Sequence, residues 1–152
     1  MSTQITVTQG ISIVTFNNVP ASCENSFINE VFEKSADAGI NIDMISQSPA
    51  TSDKISFGFT FGDDDMMKLL TIMNHISSRA GLMPMLNVGN VKLTVKSSDM
   101  ITGTGFASRV FRVLRDMDCL PLLVTTGLDE ISLLVYENEY SDLEKKLKDA
   151  FA

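Results

Sequence analysis

Apolar residues recur along this chain with two periods, and the order in which strand and helix periods alternate is written twice. Residues 4–8 alternate around Ile5 and Val7. After Gln9-Gly10, residues 11–16 alternate again, with Ile11 and Ile13 on one face, and Asn17-Asn18-Val19-Pro20 stops that strand. Phe27, Val31 and Ala38, with Ile28 and Phe32 beside them, then predict a helix over about 25–38, closed by Gly39. Ile40, Ile42 and Met44 alternate with Asn41 and Asp43 in a strand over 40–46. Residues 49–53 turn, and Ile55, Phe57, Phe59 and Phe61 line one face of a strand over 54–61. Three acids, Asp63-Asp64-Asp65, suit the positive end of a second helix that carries Met66, Leu69, Leu70, Met73 and Ile76 to about residue 79. Residues 83–88 form the next strand.

About 80 residues on, the order repeats. Ile11/Ile13/Thr15 answers to Val91/Leu93/Val95, and Phe27-Val31-Phe32 to Phe106-Val110-Phe111. Met44-Ile45-Ser46-Gln47 answers to Leu123-Val124-Thr125-Thr126, and Ile55-Ser56 to Ile131-Ser132. The second copy reads as a strand from Val91, a helix over about 106–117, strands over 120–126 and 130–136, and a helix over about 141–151. So long a period predicts two small domains, not a solenoid. Each copy fits the βαββαβ ferredoxin-like pattern, except that the second ends one strand short while residues 4–8 are in surplus. That strand can form a hairpin with residues 11–16, or it can cross over and complete the second sheet. The crossover repairs the strand count in both copies and is the reading adopted. The fold class is therefore α+β, two intertwined domains, the first over residues 9–88 and the second over 89–152 with strand 3–8.

Composition changes the picture little. With 44% hydrophobic and 20% charged residues in 152, the chain is globular. Its net charge of −7 disfavours nucleic acid and anionic membrane surfaces, both of which need a positive field. Two cysteines, Cys23 and Cys119, make neither a disulfide framework nor a metal cluster. No apolar run approaches the ~20 residues of a membrane helix, and the polar start is unlike a signal peptide. A cytoplasmic location is expected.

Ala38-Gly39-Ile40-Asn41-Ile42-Asp43-Met44-Ile45-Ser46-Gln47 resembles the A-G-I-N-I-D-M-I-x-Q strand of the ACT domains in the regulatory half of aspartokinase. Asp53-Lys54-Ile55-Ser56-Phe57 is similar to that family's D-I-S-F strand. In the second copy, Val91-Lys92-Leu93-Thr94-Val95 through Gly105-Phe106-Ala107-Ser108-Arg109-Val110-Phe111, and Glu130-Ile131-Ser132-Leu133-Leu134-Val135, resemble its corresponding strand-helix and closing strand. The resemblance covers nearly the whole chain. An aspartokinase carries a kinase domain ahead of this region, and the chain starts at Met1 without one. The expectation is a freestanding tandem ACT protein, or a separate regulatory chain, that is not itself an enzyme.

The resemblance implies an allosteric module that binds a free amino acid, with lysine, threonine or methionine as first candidates. It also implies an aspartokinase catalytic chain as partner, and a homodimer is expected because it would bury sheet edges and helix faces that small domains leave exposed. The effector would sit at the entry of the first helix, Asn25, Ser26 and Phe27, and along Ile40, Asn41, Ile42 and Gln47. Free N–H groups at the helix start would receive the carboxylate, and side-chain amides the remaining polar groups. The same residues also read as a helix cap and the solvated side of an edge strand. Asn25-Ser26 replaces the family's Pro-Gly, and Leu120-Pro121 replaces the second copy's Asn-Ile. A dimerisation module with a degraded pocket is the alternative function.

No cofactor or metal is expected. Gly103-Thr104-Gly105 lacks the following Lys-Ser/Thr of a phosphate loop. His75 stands without a nucleophile or paired carboxylate. Asp63-Asp64-Asp65 reads as dipole partners, and Cys23 as a thiol without a base or resolving partner. The methionines from Met66 to Met85 read as core filler or a domain interface.

Overall fold

The computed structural model describes residues 3–22 and 24–152, apart from the side chains of Glu24, Asn25, Ser77, Arg79 and Ala80. Two compact units emerge. One is Gly10–Val88; the other joins the N-terminal segment through Gln9 to Gly89–Ala152.

The N-terminal strand is not half of a hairpin. β1 (Gln4–Pro20) runs unbroken through Gln9-Gly10, so its first half serves one unit and its second half the other. β4 (Pro84–Lys96) does the same in reverse, merging the two strands expected on either side of Gly89. Gly10 and Gly89 both have φ near +70°, a conformation with no steric cost only for glycine.

In the first unit, β1 is followed by α1 (Glu24–Asp37), β2 (Ile45–Gln47), β3 (Lys54–Gly62), a 3₁₀ turn at Asp63–Asp65, α2 (Met66–Ala80) and the start of β4. The sheet order is β2-β3-β1-β4, the ferredoxin-like arrangement. β1 and β3 are antiparallel with Val14 opposite Phe59 and Phe16 opposite Phe57. Opposed residues share a face, so the alternation read in the sequence becomes one apolar surface. Phe16 stacks on Phe57 with centroids 5.0 Å apart, and Phe27 from α1 meets Phe16 edge-on at 5.2 Å. Val31 of α1 and Leu69, Met73 and Ile76 of α2 complete this core. Burying each such side chain contributes roughly 1.5–3 kcal/mol.

The second unit contains the rest of β4, a short helix α3 (Asp99–Thr102), α4 (Phe106–Asp116), β5 (Leu123–Thr126), β6 (Glu130–Tyr136) and α5 (Glu137–Ala150). Its order is β1-β4-β6-β5, with β1 in the place of the missing fourth strand. Ile5 and Val7 pack against the core of Val91, Leu93, Val95, Leu133, Val135, Val110, Leu114, Leu143 and Leu147. Gln9 Nε2 donates to the Tyr140 hydroxyl at 2.6 Å. The N-terminal strand thus completes the second sheet.

Two strands are shorter than their alternation predicts. β2 begins at Ile45, not Ile40, and β5 at Leu123, not Leu120. The cause in β2 is a bulge. Asp43 N–H donates to the Thr60 carbonyl at 3.0 Å, and the Met44 carbonyl accepts from Thr60 N–H at 2.9 Å. Two residues therefore oppose one, which shifts the alternation of faces by one position. The second copy has the matching bond, Leu122 N–H to the Leu134 carbonyl at 2.7 Å. α5 starts four residues earlier than its apolar spacing suggested, with Glu137 and Glu139 in its first turn, where acids suit the helix dipole.

Candidate functional site

The first unit presents its open polar end where β1 leaves the sheet. β1 breaks register between Phe16 and Val19, and Asn18 there has φ +57°. Ala21 N–H donates to the Asp53 carbonyl at 2.7 Å, tying this exit to the β2–β3 connection. That connection closes tightly: Thr51 and Lys54 exchange backbone bonds at 2.8 and 3.1 Å. Ser52 and Asp53 between them both have positive φ, the two-residue turn whose twist matches antiparallel strands. Ser48 N–H donates to the Ser56 carbonyl at 2.8 Å, and Ser56 N–H donates to Ser48 Oγ at 2.9 Å. Against these residues lies an open cleft of about 440 Å³ lined by Asn18, Ser48, Thr51, Ser52, Lys54 and Ser56 above Pro49 and Ile55.

The residues proposed from the sequence separate into groups. Ser26 is exposed in the first turn of α1, and the Asn25 side chain lies outside the described residues. Phe27 is buried in the aromatic core. Ile40 is buried and Ile42 half-buried against that same core. Asn41 and Gln47 are both exposed, on either side of the bulge at Asp43-Met44. Gln47 is opposite Phe57, level with Phe16 and so with the end of β1 that leads into α1. Asn41 lies six residues back, roughly 15–20 Å away at the rise of an extended chain. The bulge at Asp43-Met44 also turns the two side chains to opposite faces, although their numbers share parity. Met44 is held in this bulge, its N–H donating to Thr60 Oγ1 at 2.9 Å.

The hydroxyl-rich cleft and its Lys54 were not singled out from the sequence. The signal was present in Ser48-Pro49-Ala50-Thr51-Ser52-Asp53-Lys54, a turn with three hydroxyls and one cation, but turns of this composition are common.

The remaining chemistry-bearing groups serve the fold. Ser12 Oγ donates to Asp63 at 2.5 Å and Lys68 pairs with Asp65 at 3.2 Å. Gly105 begins α4 in a left-handed conformation. The Cys119 thiol is pushed up to about 11, first by burial and then by the neighbouring Glu139 carboxylate and its hydrogen bond, which leaves it protonated and unreactive near neutrality. Cys23 lies outside the described residues. No helix among the described residues is long and apolar enough to cross a membrane.

No protein-family model matches the sequence. An aspartokinase of Geobacillus stearothermophilus is 28% identical over 121 residues, covering 80% of this chain and 29% of that enzyme. The chain spans between 29% and 34% of the length of the curated aspartokinases it matches. The ligand-free regulatory subunit of aspartate kinase from Thermus thermophilus superimposes with a TM-score of 0.88 at 16% identity, over 97% of both chains. E. coli aspartokinase III in complex with lysine and aspartate, in its T-state, gives 0.66 at 18% identity, over 96% of this chain and 31% of that one. At such identities the structural likeness speaks for the fold. The chain is thus built like the regulatory subunit of aspartate kinase over 97% of its length, and it matches the curated aspartokinases over only about a third of theirs.

Proposed function

We propose that the chain is an amino-acid-sensing allosteric module that acts on an aspartokinase catalytic chain. The observation that carries this reading is the match of both copies, over 97% of the chain, to a subunit whose described role is regulation. A lysine complex of a protein with this fold makes lysine the first effector to test, followed by threonine and methionine.

The polar end of the first unit is the place for the effector. The start of α1 offers backbone N–H groups and a positive dipole to a carboxylate, and Gln47 stands at that end of the sheet. Asn41 is too far away in the same copy to join it. Its participation is consistent with a homodimer in which one copy supplies Gln47 and the helix entry, and the other supplies Asn41. A site made by two copies couples binding to their arrangement, because the ligand has affinity only for the arrangement that completes it.

Thermal unfolding against the twenty amino acids tests the proposal. At about 100 times its dissociation constant an effector stabilises by roughly 2.7 kcal/mol, a shift of several degrees in a domain of this size. A selective shift with one or two amino acids is expected. A protein that melts at the same temperature with all twenty would sink the reading.

A further inference from the structure

We propose that the cleft between the end of β1 and the β2–β3 turn binds a small anion, a carboxylate or phosphate group, separately from the amino-acid site described above. Ile55 is buried in the helix-facing core, so its strand neighbours Lys54 and Ser56 project to the other face of the sheet. Ile55 itself forms the apolar floor of the cleft, while the cation and hydroxyl of its two neighbours are presented away from the face that α1 covers.

Its charge stands out against its surroundings. Residues 10–88 carry nine carboxylates and four cations, yet no carboxylate is among the residues that line the cleft, while Lys54 is. The Lys54 ammonium is exposed and makes no ion pair among the described residues. Around it are hydrogen-bond donors on a fixed frame. The Ser48 hydroxyl accepts from Ser56 N–H, so its own proton is directed elsewhere. Thr51 and Ser52 are held by the two-residue turn, and Asn18 by the register break in β1. A cation with several hydroxyls and an amide satisfies the oxygens of a carboxylate or phosphate. The turn and the Ala21–Asp53 bond fix that geometry before any ligand arrives. About 440 Å³ is within the range of small-molecule sites.

Amide shifts of the full chain, recorded by NMR during titration with sodium phosphate or sodium acetate at ionic strength held constant with sodium chloride, test this inference. Saturable shifts confined to Asn18 and its neighbours and to residues 48–56 are expected. Lys54→Met should weaken them at least tenfold, Lys54→Arg should keep them, and Ser52→Asp should abolish them by repulsion. Saturation by phosphate alone identifies a phosphate-bearing ligand; comparable saturation by acetate identifies a carboxylate. Shifts no different from the chloride control, or saturable shifts unchanged in Lys54→Met, would overturn the proposal. Neither result depends on whether an amino acid binds elsewhere.

Discussion

Gly39 and Asp118 close the corresponding helices α1 and α4 of the two copies with the same backbone. Their φ angles are +75° and +53°. The residue after each returns its N–H to the carbonyl five positions earlier: Ile40 to Ser35 and Cys119 to Leu114, both at 2.9 Å. This six-residue closure, with a left-handed residue before a buried apolar one, is the Schellman helix stop. Glycine adopts it without strain; aspartate does so at a cost of up to about 1 kcal/mol. Replacing Asp118 by glycine is therefore expected to stabilise the protein by roughly 0.5 kcal/mol, and Gly39→Ala to destabilise it by about 1 kcal/mol or more. Urea denaturation of both variants checks the pair, and equal effects at the two positions would contradict the assignment.

Thr60 has no exposed surface, and its hydroxyl is the acceptor for Met44 N–H inside the bulge. Thr60→Val keeps the shape and removes the acceptor, leaving a buried N–H without a partner at a cost of about 1–3 kcal/mol. Thr60→Ser should cost less, because the acceptor remains. Hydrogen exchange supplies the local readout: the Met44 amide should lose protection in the valine variant before the β3 amides do. Unchanged protection at Met44 would mean that the hydroxyl does not hold the bulge.

That bulge also marks where the sequence was legible and where it was not. Strand and helix order, the repeat and the crossover of residues 4–8 all rest on apolar periodicity and strand count, and these survive because each strand has one face in a core. Ile40, Ile42 and Met44 looked like an uninterrupted strand because alternation does not record an extra residue opposite Thr60. The consequence reached the site: Asn41 and Gln47 share parity, so a regular strand would set them on one face. Phe27 was placed at the site by resemblance, whereas its burial against Phe16 and Phe57 needed the packing itself. The Lys54 cleft depends on which residues two turns bring together, and no periodicity carries that information.

Burial keeps the Cys119 thiol protonated until about pH 11, whereas an unfolded thiol ionises near 8.5. Between those values the unfolded chain holds fewer protons than the folded one, so stability falls as pH rises. Other groups titrate in this range too, so the informative quantity is the stability difference between wild type and Cys119→Ala. It should be constant below about pH 8 and shrink steadily towards pH 11. A difference that stays flat to pH 11 would show that the thiol is not desolvated as the structure places it. Native Cys119 should also react with thiol reagents at neutral pH far more slowly than the unfolded chain.

The proposed two-copy site, with Gln47 from one copy and Asn41 from the other, has a consequence that single variants do not reveal. Asn41→Ala and Gln47→Ala should each abolish the stabilisation by amino acid. If the proposed dimer forms, the two variants mixed, denatured and refolded should give hybrid dimers in which one site takes Gln47 from the first variant and Asn41 from the second. That site is intact, and the other lacks both groups. Ligand binding by the mixture should return to about a quarter of the wild-type capacity, since half of a random mixture is hybrid and each hybrid has one good site of two. Titration calorimetry measures that stoichiometry directly. No recovery on mixing, with both single variants silent, would place Asn41 and Gln47 in the same copy's site and contradict the distance between them; full binding by Asn41→Ala alone would remove Asn41 from the site.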